Sequence, residues 1–291
     1  MKSVSESESI NTCNSIFKTE TNSVLDKMSC IFELEATDNK TNKTNEDGKK
    51  RYGSELVAIG KFHSELQKYI TDHLTTGYYM ITEKIDGTCR LIHQGKVWKR
   101  RDLKMIHKGS KKGQYREPPK GWQKFSNNGM FNEHNIGFMP LDQKSNDDKW
   151  DFEAHHPEYN DSDNHKILMA VPSIAGVVFS NYSKFEFKYI DIDDPSIQGK
   201  TFELVGHKIG NNPYNMNSEE YPIKHCYIQH GINPVNIGIA QEDWKKPENV
   251  YKQIKGYFIS NPSVEGIVLH IHNEEQTCFK VHRLHYQLPW K

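Results

Sequence analysis

The chain has 291 residues with 38 Lys or Arg balanced by 38 Asp or Glu, so net charge alone marks neither a nucleic-acid-coating nor an acidic solvating protein. With 35% hydrophobic and 11% aromatic residues there is enough apolar material for a core, and a mean hydropathy of -0.81 means that polar tracts dilute it. Five scattered cysteines without a Cys-x-x-Cys argue against a disulfide framework and a structural zinc site, and the sequence holds neither a signal-like apolar region nor a run of about 18 apolar residues. These features lead us to expect a soluble, intracellular protein with no membrane contact, cytoplasmic with the nucleus as the alternative.

In chain order, residues 1–24 are Ser, Thr, Asn, Glu and Lys and read as a disordered tail, leaving 25–291 as one domain. A β-rich run follows at 28–35, and the equally polar stretch 37–50 reads as a mobile loop; its sequons at Asn39 and Asn42 carry no meaning outside the secretory route. A helical pattern covers 64–74 and a long β-rich run covers 78–92. From Lys96 to Lys124 eleven basic residues meet two acids and are interleaved with Trp98, Tyr115 and Trp122, which suits a phosphate backbone with unstacked bases and equally a solvated basic loop. The charge reverses over 142–163, within a second polar loop near 141–165. Further β-rich runs lie at 174–190, 200–206, 224–232, 264–272 and 277–283, with a helical pattern at 241–259 interrupted by Pro247. Strands and helices without regular βαβ alternation indicate an α+β fold with largely antiparallel sheets. Among the fifteen histidines, His270 and His272 would share a strand face, but they lack Cys or carboxylate partners at matching spacing, so zinc is not expected there.

The stretch Ile81–Ile92 places Lys84, Asp86 and Gly87 at the end of a strand pattern. As an exposed pair, Lys84 and Asp86 would contribute less than about 1 kcal/mol. As chemistry, the lysine amine is a nucleophile that can form a covalent intermediate, and Gly87 would let a nucleotide approach the backbone. Three later strand patterns carry charge in the same manner: Phe202-Glu203-Leu204, Val264-Glu265-Gly266-Ile267-Val268 and Lys280-Val281-His282-Arg283. No Gly-x-Gly-x-x-Gly or Walker-type loop accompanies them.

In this order the four segments resemble the collinear motifs of the covalent nucleotidyltransferases, the ATP-dependent ligases and mRNA capping enzymes. The stretches TEKIDGTC, FELVGHKIGNNPYN, QHGI, VEGIVLH and FKVHRLH are more closely similar to the eukaryotic-type 5′-to-3′ RNA ligase family, from about Met28 to Pro289. The resemblance implies a ligase-type nucleotidyltransferase (adenylyltransferase) fold and an ATP-dependent RNA ligase that joins RNA 5′-phosphate and 3′-hydroxyl ends through lysyl-AMP and RNA-adenylate. It implies Lys84 and Asp86 as catalytic residues, with Glu83 on the adenine side. Arg100, Glu203, Lys280, His282 and Arg283 would bind the nucleotide, and Glu265 and Glu203 would hold Mg²⁺, with Mn²⁺ as the alternative ion. The partner is RNA, and the expected state is a monomer. Tyr227 and Phe202 are the candidates for stacking on adenine, and Arg101, one step from Arg100, would face the other way.

Two departures qualify the match. Many DNA ligases have Asp-Gly-Glu where this chain has Thr201-Phe202-Glu203, which favours RNA ligases, and a second lysine where it has His282, which makes one phosphate contact pH-dependent. Few residues follow Arg283, so no C-terminal OB domain is expected. The alternatives are a capping-type guanylyltransferase using GTP and a catalytically inactive RNA-binding relative.

Overall fold

A computed structural model describes residues 25, 27–44, 50–106, 108–125, 135–156, 165–172, 185–219, 221–271 and 277–290, and of 38–44 and 50–54 the backbone alone. A four-stranded sheet forms around β12 (Gly266–Ile271), which pairs antiparallel with β4 (Tyr79–Lys84) on one side and β13 (Cys278–His282) on the other; the short β1 (Ser29–Cys30) adds parallel to β13. Alternation along these strands turns Ile81, Ile267, Leu269, Ile271, Phe279 and Val281 into one core. Helix α1 (Gln67–Leu74) contributes Ile70 and Leu74 to it, and α3 (Pro247–Ser260) contributes Val250, Ile254 and Phe258 at four-residue spacing. Fully burying each such side chain is worth roughly 1.5–3 kcal/mol. Pro247, read as an interruption, starts α3, where a missing N–H costs nothing; a separate 3₁₀ turn, Gln241–Lys245, precedes it and buries Trp244.

The second sheet has seven strands in the order β7 (Phe138–Pro140), β6 (Lys96–Arg100), β5 (Thr88–His93), β10 (Thr201–Gly206), β11 (His225–Gln229), β8 (Lys166–Pro172), β9 (Phe185–Asp191). Only the β11–β8 pair within it is parallel. The α+β expectation with mostly antiparallel sheets therefore agrees with the described residues. Among them no helix is long and apolar enough to cross a membrane.

Two expectations need correction. The stretch 37–50 is not a loop: β2 (Phe32–Thr44) and β3 (Lys50–Phe62) pair out to Thr44 and Lys50, because ladder hydrogen bonds need no apolar side chain, while 45–49 lie outside the described residues. The acidic stretch is partly structural. A 3₁₀ turn, Asn146–Asp148, runs into α2 (Lys149–Glu153), and the fully buried Asp148 and Asp151 pair with Lys99 and Arg90, the latter through two bonds of 2.6 and 2.9 Å. Removing one partner would leave an uncompensated buried charge, a loss of about 3–5 kcal/mol. The strand read at 174–190 is described only from Phe185, and β8 was not foreseen. Residues 1–24 lie outside the described set.

Candidate active site

The polypeptide leaves the four-stranded sheet at Lys84 and enters the seven-stranded sheet at Thr88, crossing through Ile85, Asp86 and Gly87. Lys84, Gly266 and His282 lie in one register row of β4, β12 and β13, and Lys280, two residues before His282, shares its face. Gly266 is needed here, since a Cβ would lie 2.6 Å from the Val281 carbonyl oxygen and 3.4 Å from Lys84 Cδ. The lysine stem therefore lies across β12, and Lys84 Nζ donates to Glu265 Oε2 at 2.7 Å. The other oxygen of Glu265 is 3.4 Å from His282 Nδ1.

The facing sheet supplies Glu203 from β10. Its Oε1 meets His230 Nε2 at 3.0 Å, and His230 is braced through Nδ1 by Thr201 Oγ1 at 2.8 Å. Glu203 Oε2 is buried without a hydrogen-bond partner. The Asp86 backbone N–H donates to Tyr214 Oη at 2.6 Å, which fixes the crossing. Gly87 is constrained from an unexpected side: an added Cβ would sit 2.5 Å from the Leu204 carbonyl oxygen and 3.1 Å from Glu203 Oε2. Its lack of a side chain serves the close approach of the crossing to β10.

The electrostatics follow from this crowding. Burial raises the carboxyl pKa values of Asp86 and Glu265; neighbouring Lys84 opposes the rise, and the other acids of the site reinforce it. Burial, then Lys84, lowers the pKa of Lys280. His282 is pushed down to about 3 by burial, Lys84 and Lys280, so its ring is neutral and its contact with Glu265 is not an ion pair. Arg100 lies in the field of Glu203 and is held by Asp102, with Nε to Oδ1 at 2.8 Å. It also lines a cavity of about 550 Å³ with Thr88, Arg101, Lys104 and Arg116, a cleft in which the basic residues outnumber the acids Asp102 and Glu117 and which leads from the crossing toward the exposed residues 108–121.

The structure thus brings together Lys84, Asp86, Glu203, Glu265, Lys280 and His282, with Arg100 beside them. It does not bring Arg283 to them. That guanidinium is buried and donates to the carbonyl oxygens of Phe258, Asn261, Val264 and Pro289, because β13 ends at His282 and the chain turns inward. Glu83 points to the opposite face of β4 from Lys84 and accepts from Asn233 Nδ2 at 2.9 Å. Phe202 and Tyr227 are both fully buried on the α2 side of their sheet, so neither stacks on a ligand in this structure. The sequence reading did not single out His230, Tyr214 or Asn233 individually; the first two lie in the QHGI and NNPYN stretches.

Three acids around one lysine, one with a buried unpartnered oxygen, form a donor set that fits a hard divalent cation, which takes carboxylate oxygens. The chain is similar to RNA ligase 1 of Danio rerio (23% identity over 92% of this chain and 82% of that protein), of Pongo abelii (22%, with the same coverage) and of Rattus norvegicus (23%, again with the same coverage). A model of the RNA ligase 1 family matches residues 131–291, more than half of the chain and including Glu203, Glu265, Lys280 and His282, and the chain therefore belongs to the RNA ligase 1 family.

Proposed function

We propose that the chain is an ATP-dependent RNA ligase that seals a 5′-phosphate to a 3′-hydroxyl with Lys84 as the covalent nucleophile. The observation that carries this reading is the single amine of Lys84, held 2.7 Å from Glu265 at the junction of two sheets and surrounded by Asp86, Glu203 and Lys280. An amine attacks only when it has lost a proton, and Glu265 Oε2, with its raised pKa, is placed to accept it.

Lys84 Nζ then forms a bond to the α-phosphorus of ATP while the bond to the β-phosphate oxygen breaks and pyrophosphate leaves. An oxygen of the RNA 5′-phosphate next takes the AMP, restoring the amine, and the RNA 3′-hydroxyl finally displaces AMP from the RNA-adenylate. Lys280 and Arg100 face the phosphates as cations, His230 holds Glu203 in place, and Asp86 is oriented through Tyr214. Mg²⁺, with Mn²⁺ as the alternative, would be held by Glu203 and Glu265 and would neutralise phosphate charge. The basic cleft beside Arg100 offers RNA phosphates a path from the site.

Incubation with α-labelled ATP and a divalent cation, followed by denaturing electrophoresis, tests this directly. The wild-type chain should carry label and Lys84→Ala should carry none, since no other amine hydrogen-bonds to Glu265 among the described contacts. Label of equal intensity on the variant would remove Lys84 from the role. Preference for GTP over ATP would point to the capping-type alternative, and absence of label on wild type to an inactive RNA-binding relative.

A further inference from the structure

On the face of the seven-stranded sheet covered by α2, three side chains converge that play no part in the ligase chemistry. Gly206 and His225 are direct partners in the β10–β11 ladder, and the His225 ring lies over Gly206, where a Cβ would be 1.8 Å from its Cδ2. Glu153, the last residue of α2, reaches His225 Nδ1 with Oε2 at 3.0 Å, and Trp150, three residues earlier on the same helix face, stacks on the ring at 6.3 Å. His207 follows Gly206 directly, is half-buried, and brings its ring to 4.9 Å from that of His225. One donor atom from each of Glu153, His207 and His225 lies within 4.8 Å of the other two, the only such trio among the described residues.

From this convergence the geometry points to a divalent transition-metal site, of the kind that takes Zn²⁺, built from Glu153, His207 and His225 with a fourth position for water. Two imidazoles and one carboxylate form a recognised zinc donor set, and bonds of about 2.0–2.1 Å in a tetrahedron place neighbouring ligand atoms about 3.3 Å apart. The Glu153–His225 separation of 3.0 Å is already close to that edge. The His207 ring is oriented through Nδ1, 3.3 Å from the Lys224 carbonyl oxygen, the kind of backbone partner that fixes a metal-ligating imidazole.

The site is pre-organised from both sides. Helix α2 is fixed to the sheet by the buried pairs of Asp148 with Lys99 and Asp151 with Arg90. His207 begins the segment that carries Gly210 against Asp86 and Tyr214 onto the Asp86 N–H. An ion bound here would brace that segment against α2 and so steady the crossing at Asp86 from behind.

The test uses the full chain, stripped with chelator and titrated with Co²⁺ in the presence of excess Mg²⁺, which occupies carboxylate sites without competing for imidazole. One equivalent of Co²⁺ should give the visible absorption of a four- or five-coordinate ion, and Zn²⁺ should displace it. His207→Ala and Glu153→Gln, both at side chains that reach solvent, should each weaken binding by about tenfold or more, with far-ultraviolet circular dichroism unchanged. No Zn²⁺-displaceable spectrum on wild type, or wild-type affinity in either variant, overturns the site.

Discussion

At the scale of single residues, His282 shows how strongly a neighbourhood decides chemistry. Burial and two lysines hold its pKa near 3, so the ring is neutral without ligand. Phosphate oxygens would favour the imidazolium, so nucleotide binding must raise this pKa and take up a proton. Binding coupled to proton uptake strengthens as pH falls between the bound and free values. The KM for ATP in adenylylation should therefore fall as pH is lowered from the ring's bound-state pKa toward its free value near 3. His282→Lys should flatten that slope and His282→Ala should both flatten it and raise KM. An alanine variant with wild-type KM across the range would show that the ring does not meet phosphate. The residue scale is also where sequence reading was most uneven. Lys84, Lys280 and His282 are legible because a two-residue period places them on one sheet face at matching ladder rows, and Glu265 because it directly precedes Gly266 of that row. Arg283 was not: it lies one residue past the end of β13, where alternation no longer predicts direction, and its carbonyl partners come from the end of α3, the segment before β12 and Pro289.

At the scale of elements, that arginine becomes a brace. It gathers carbonyls from the C-terminal end of α3 and from the segment leading to β12, where a cation also complements the helix dipole. Arg283→Ala leaves buried carbonyls unpaired and should cost about 3 kcal/mol or more in urea unfolding, while the folded fraction still forms lysyl-AMP. Full stability with lost adenylylation would return Arg283 to the nucleotide. The strands around the site could be read from composition because β-branched and aromatic residues alternate with charge. The β2–β3 hairpin could not, since its outer half is polar and backbone pairing leaves no pattern in side chains. The Glu153, His207 and His225 cluster was equally hidden, because its members are far apart in sequence and only the β10–β11 register and the docking of α2 bring them together.

At the scale of the whole molecule, the charges cancel in sum but not in space. Arg100, Arg101, Lys104 and Arg116 line one cleft beside the active site, while Asp148 and Asp151 are consumed in the interior. Sealing of RNA should accordingly weaken with added salt, and phosphate contacts alone give no preference between RNA and DNA. Deoxynucleotides at only the 3′ end of the acceptor should slow sealing without altering lysyl-AMP formation, because a 2′-hydroxyl there helps aim the attacking oxygen. Equal sealing of all-RNA and all-DNA strands at one ionic strength would make the enzyme a general polynucleotide ligase. The short passage from Lys84 to Thr88 adds a mechanical constraint of its own. Three residues fully extended span only about 10 Å, so the two sheets are tethered at the point where the nucleophile meets the acids. A rotation about this tether would move the far edges at β1 and β9 most and the groups beside the crossing least. The nucleophile and the acids thus sit at the one place where a rotation of the sheets against each other would change their spacing least.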